Sequence, residues 1–177
     1  MMNLTRVALS LFLLASMAMA GRVQRDPLTD AETDQLREAA QEPGPRLKLY
    51  IKFGGARLET IEQLRTDPKM ATGRGQRIHD LLEDFANIVD EIDRNVDTYD
   101  ERDLDLRKPL KELIQAESGW QLRLRTLKET PHNDAASASE FREYSFTLDA
   151  ALDSLNSSAD NSRKVLQEQE AHPKKKK

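Results

Sequence analysis

The chain has 177 residues, 27 basic against 31 acidic side chains, no cysteine, and one third of its residues charged. Without cysteine there is no disulfide, no thiol nucleophile, no covalent haem and no lipid-attachment cysteine. A net negative body argues against a nucleic-acid partner, because it repels phosphate backbones.

The first twenty residues, MMNLTRVALSLFLLASMAMA, place Arg6 before an apolar run and end in Ala18-Met19-Ala20, with small residues at the positions a signal peptidase reads. This predicts a secretory signal peptide over 1–20, cleaved near Ala20, and an exported chain, periplasmic or secreted. The apolar run is short for a membrane span, which needs roughly 20 strongly apolar residues. The domain reading that follows is 1–20 signal, 21–45 lead-in and short helix, 46–171 helical bundle, and 172–177 flexible basic tail. Past residue 20 the chain carries 26 basic and 31 acidic residues, a formal charge of −5. The Lys174–Lys177 run is a solvated tail with a candidate weak contact to an anionic surface.

Thr29 followed by Glu32 reads as a capping box, so a short helix is predicted to begin there and run to about Gln41, stopped by Pro43-Gly44-Pro45. From Pro45, Leu47, Ile51, Leu58, Ile61 and Leu64 mark a second helix. Gly54 and Gly55 interrupt it, marking either the close approach of a neighbouring helix or, as the alternative, a functional kink. The third helix, about Gln76 to Tyr99, carries Ile78, Leu82, Phe85, Val89, Ile92, Val96 and Tyr99, spaced alternately four and three, with Leu81 and Ile88 widening the seam. The fourth runs to about Glu129, with Asp103 or Asp105 as its cap and Pro109 in its first turn. Its seam is Leu106, Leu110, Leu113, Glu117, Trp120, Leu124 and Leu127. The fifth starts between Ala136 and Ser139 and ends near Ala171, with a seam of Phe141, Ser145, Leu148, Leu152, Leu155, Ala159, Ser162 and Leu166. Its small, polar stretch Asn156 to Asn161 predicts weaker packing and fraying. The sum is an all-α, antiparallel up-down four-helix bundle with heptad seams and a short N-terminal helix. Heptads this regular also suit a coiled-coil or domain-swapped homodimer, so both monomer and homodimer remain open.

No catalytic constellation is legible. Of the three histidines, only His79 lies on a long helix, with Glu83 one turn on, and it flanks the seam. His132 falls in a proline loop and His172 near the end, so no metal or other cofactor is expected. The acidic residues from Asp90 to Asp105 lack the glycine turn of a calcium loop. The serines between Ser137 and Ser162 lack the strand-turn-helix setting of a hydrolase nucleophile, and no phosphate-binding glycine loop is present. Glu117 is the one charged seam residue. It either extends to solvent or forms an ion pair with Arg57, placed at a similar level by counting equal distances from the ends of two antiparallel helices. Leu122 and Phe146 fall on outer helix faces and form a candidate partner surface.

Leu28-Thr29-Asp30-Ala31-Glu32 with Leu36 resembles the Leu-Thr-x-x-Gln opening of small periplasmic helical chaperones of the Spy and CpxP type, over about ten residues, with Glu32 replacing the glutamine and no second copy. The resemblance implies a small exported helical binder. Two roles are therefore expected: a non-enzymatic structural or protein-interaction module of the bacterial cell envelope, or a chaperone-like binder of unfolded clients. A metal-binding bundle is a more distant alternative.

Overall fold

A computed structural model describes residues 26–39, 42–131 and 133–172. The predicted signal segment, His132 and the Lys174–Lys177 tail lie outside them. The described residues form an all-α helical bundle: α1 Asp30–Glu38, α2 Pro43–Thr66, α3 Arg74–Glu101, α4 Arg107–Glu129 and α5 Ala135–Ala171, with a single 3₁₀ turn at Pro68–Met70.

Helix starts follow the local chemistry. Thr29 Oγ1 accepts from the Glu32 N–H at 3.2 Å, while Glu32 Oε2 accepts from the Thr29 N–H at 2.9 Å, the reciprocal box that opens α1. Pro43, fixed in φ and lacking an N–H, starts α2 two residues before the expected Pro45. Gly73, at φ +63°, turns the chain into α3. Asp134 Oδ1 caps α5 by accepting from the Ala136 and Ser137 N–H groups at 2.9 Å each. At α4 Leu106 occupies the cap position and contributes no side-chain bond, while the expected Asp105, one residue earlier, accepts from the Arg107 N–H through Oδ1 at 3.2 Å. Asp103 instead takes the left-handed conformation, φ +58°, at the turn leaving α3, a geometry that aspartate tolerates better than most residues.

The seams of α3 and α4 are buried at every expected position, Glu117 included. Along α2 the buried set is Leu47, Tyr50, Phe53, Gly54, Leu58, Ile61 and Leu64, so Tyr50 and Phe53 join the core and Ile51 is only half-buried. The two glycines do not interrupt α2. A methyl group at Gly54 would stand 3.2 Å from Trp120 Cη2, so the residue marks the expected close approach of a neighbour. Trp120 also meets Phe85 edge-on, with ring centroids 5.4 Å apart.

The buried face of α5 includes Leu148, Leu152, Leu155, Ala159 and Ser162 of the expected seam but is wider and shifted at both ends. Its continuous four-three series is Tyr144, Leu148, Ala151, Leu155, Ser158, Ser162, Val165 and Gln169, all buried, whereas Phe141, Ser145 and Leu166 are half-buried flanks. The stretch expected to fray is among the most engaged parts of the helix, because its small side chains admit polar groups from two neighbours.

Helix α2 packs on α3 and α4, α5 packs on α3 and α4, and α1 packs on α2. Lys48 near the start of α2 pairs with Glu112 near the start of α4 at 3.4 Å, and Arg65 donates to Thr130 Oγ1 where both helices end. Arg74 in the first turn of α3 pairs with Glu140 in the second turn of α5 at 2.8 Å. Arg46 at the start of α2 reaches Asn95 late in α3, and Lys111 early in α4 reaches Glu170 at the end of α5. No helix among the described residues is long and apolar enough to cross a membrane.

Candidate functional site: a buried carboxyl against two serines

Glu117 occupies the middle of the α4 seam with no solvent-accessible surface. Facing it from α5 are Ser158 and Ser162, one turn apart and buried to 2% and 1%. Both hydroxyls donate to Glu117 Oε1, at 2.9 and 3.2 Å. The other oxygen, Oε2, is buried without a hydrogen-bond partner. Burial disfavours the charged form and pushes the carboxyl up to about 7 from an ordinary 4.5; the two serine hydrogen bonds and Arg163 act against that rise, and Asp93 adds to it. Arg163 is itself bound to Asp160 at 3.2 Å.

The same segment of α5 reaches α3. Asn161 Nδ2 donates to Asp93 Oδ1 at 2.7 Å and to Asp97 Oδ1 at 2.9 Å, and Gln121 of α4 donates to Asn156 Oδ1 at 2.8 Å. Residues 156–162 are therefore a polar hub binding three helices. A second buried amide lies further along. Gln169 Oε1 accepts from the Leu106 N–H at 2.8 Å, while its Nε2 donates to Asp100 Oδ1 at 2.7 Å and to the Leu104 carbonyl at 3.1 Å. Gln169 thus supplies the partner for the Leu106 N–H just ahead of α4, while the first helical N–H, that of Arg107, is taken by Asp105 Oδ1 at 3.2 Å.

The expected Arg57 to Glu117 pair does not form. Arg57 projects toward α1, donating from Nη1 to Glu32 Oε1 at 2.7 Å and from Nη2 to Glu32 Oε2 at 2.6 Å and to the Pro27 carbonyl at 2.7 Å. Its Nε lies 3.8 Å from Asp84 Oδ2. Burial works to raise the Glu32 carboxyl, but the hydrogen bonds from Arg57 and Thr29 outweigh it and hold the group below its ordinary value. Glu117 does not extend to solvent either.

Ser158 and Gln169 were missed from sequence. The signal was the four-three series itself, which continues through them from Tyr144 once small polar residues are allowed into a seam.

Leu122 is 67% exposed and Phe146 85% exposed. Leu122 borders a groove of about 360 Å³ between α2 and α4, floored by Leu58, Ile61 and Leu127 and flanked by the Arg123 to Glu62 ion pair at 2.6 Å. Phe146, on α5, is not among the residues lining it. His79 is partly exposed beside Asp80, 3.4 Å away, and His172 caps the end of α5. Among the described residues, no three His, Cys, Asp or Glu side chains are grouped as metal ligands.

No family model, no curated protein and no solved structure matches the chain. The similarity at Leu28 to Leu36 therefore stands as that of one capped helix opening, whose Glu32 here serves the Arg57 clamp.

Proposed function

We propose that this protein is an exported, non-enzymatic module of the bacterial cell envelope that binds another protein through the face of α4 around Leu122. The observation that carries the reading is a large apolar side chain, 67% exposed, at the lip of a groove with an apolar floor. The signal-like first twenty residues support export. The lysines of 174–177 would add at most a weak contact to an anionic surface.

The scaffold we infer is an up-down-up-down four-helix bundle. Its order around the axis is α2, α3, α5, α4, supported by the pairings of Arg46 with Asn95, Arg74 with Glu140, Lys111 with Glu170 and Lys48 with Glu112. Sequential helices alternate in direction, yet α2 beside α4 and α3 beside α5 are parallel neighbours, and the α3 to α4 connection crosses the bundle diagonally. Because the chain lacks cysteine, a short thiol cross-linker tests this directly. Paired cysteines at 48 and 112 should cross-link and a pair at 48 and 129 should not; the reverse result overturns the order.

A photo-reactive residue at position 122, with another at exposed position 164 as control, tests the contact face in cells expressing the full chain. A discrete adduct from position 122 alone supports a dedicated partner surface, whereas equal adducts from both positions refute it. Suppression of unfolded-client aggregation by the wild-type chain but not by Leu122→Asp selects the chaperone-like role for the same face. Retention of the full-length chain in the cytoplasm refutes export.

A further inference from the structure

We propose that Glu117 is a proton-operated latch between α4 and α5, closed when its carboxyl is neutral and loosened when it ionises. The geometry is that of a group built for the neutral state. It has no solvent contact, both donors converge on one oxygen, and the second oxygen has none. An ionised carboxylate requires donors around both oxygens or a facing cation, and loses far more than a neutral acid when an oxygen is left dry.

The surroundings do not supply that cation. From α5, Arg163 acts on Glu117 at a distance and is bound to Asp160, while Ser158 and Ser162 are neutral. From α3, Asp93 faces it with like charge. From α2, Gly54 packs on the neighbouring Trp120, and the cations to either side, Lys48, Lys52 and Arg57, are held by Glu112, Gln35 and Glu32. Loss of the proton tightens the serine hydrogen bonds on Oε1 but leaves a dry charge on Oε2, so water is drawn in at that oxygen and wedges between α4 and α5. The same short segment carries Asn161, so the contacts to Asp93 and Asp97 loosen with it, and one ionisation is felt by three helices. This holds whether or not the Leu122 face binds a partner.

The sign follows from a carboxyl that binds its proton more tightly folded than unfolded. The stabilisation is full below about pH 4.5, declines as pH rises toward 7, and is gone above it. The folded-to-unfolded ratio falls on the order of 100-fold across that window. The experiment compares urea unfolding of the wild-type chain and Glu117→Gln, which is isosteric and never ionises, between pH 4.5 and 8. A steep wild-type decline and a flattened variant support the latch, since His79 and the other titrating groups are common to both. Parallel curves overturn it. Should Glu117→Gln fail to fold, carboxyl carbon NMR of the glutamate-labelled wild-type chain decides: a Glu117 midpoint near 7 supports the proposal and one near 4.5 overturns it. Amide exchange corrected for its intrinsic pH dependence gives the local readout. Protection at residues 156–162 should fall above pH 7 in the wild type and persist in Glu117→Gln, and unchanged wild-type protection across pH 7 refutes the loosening.

Discussion

Arg57 offers a discriminating test, because counting along the helices pointed to Glu117 as its partner and the structure pairs it with Glu32. Its guanidinium meets Glu32 through two bonds of 2.7 and 2.6 Å and adds the Pro27 carbonyl, with Arg57 and Glu32 side chains only 11% and 13% exposed. A charged hydrogen bond is worth about 1.5–3 kcal/mol, and a two-pronged pair at this burial lies inside that range after desolvation is counted. Arg57→Ala also leaves Glu32, little exposed, without its guanidinium, so the single substitution should cost about 3 kcal/mol. In a double-mutant cycle read by urea unfolding, Arg57→Ala with Glu32→Ala should give a coupling of about 2 kcal/mol. The cycle with Glu117→Ala should give about 0 kcal/mol, as for residues without shared partners. Proteolysis within α1 should accelerate in Arg57→Ala, since that helix loses its clamp. A coupling to Glu117 that exceeds the coupling to Glu32 would refute the reasoning.

Other consequences are as specific. Gln169→Ala should cost about 2 kcal/mol, the penalty of leaving the Leu106 N–H unpaired, with faster amide exchange at residues 104–106. Gly119, with nothing within 4 Å of a built methyl group, should gain up to about 1 kcal/mol on substitution by alanine, whereas Gly54→Ala should not, because the Trp120 ring stands 3.2 Å from the new carbon; thermal midpoints of the two variants distinguish them. On the acid side, Glu32 contributes stability that is present above its unfolded value of about 4.5 and lost as pH falls through its lowered folded value. The Glu32→Gln variant should therefore show a shallower decline than wild type on acidification below pH 4.5.

The α3 and α4 seams were legible because nearly every buried position is apolar and the alternation of four and three is unbroken from Ile78 to Tyr99. On α5 the same periodicity is present but written partly in serine and glutamine, so a reading that follows apolar residues slips onto the neighbouring series through Phe141 and Leu166. The partner of Glu117 was hidden for the same reason. Counting along helices taken as antiparallel put Arg57 near its level. Lys48 instead meets Glu112 at the two helix starts and Glu62 meets Arg123 toward the two ends, and the level survives only because Arg57 and Glu117 both lie near mid-helix. What that counting lacks is the direction around the helix, and Arg57 turns toward α1, whose docking depends on contacts 25 residues away in sequence. Gln169 is harder still, since it satisfies a backbone group 63 residues distant.

The Arg57 clamp has a mechanical consequence. The described chain enters at Asp26, and its next residue is fastened by the Pro27 carbonyl to the middle of α2 rather than to an end of the bundle. A pull applied at that entry loads the Arg57 clamp before any contact among the four long helices, peeling α1 away at low force. A pull on the far end of α5 instead runs along the helix and strains Gln169, the serine hub and the Arg74 to Glu140 bridge together. The molecule should yield easily from one direction and resist from the other, with α1 the first element released.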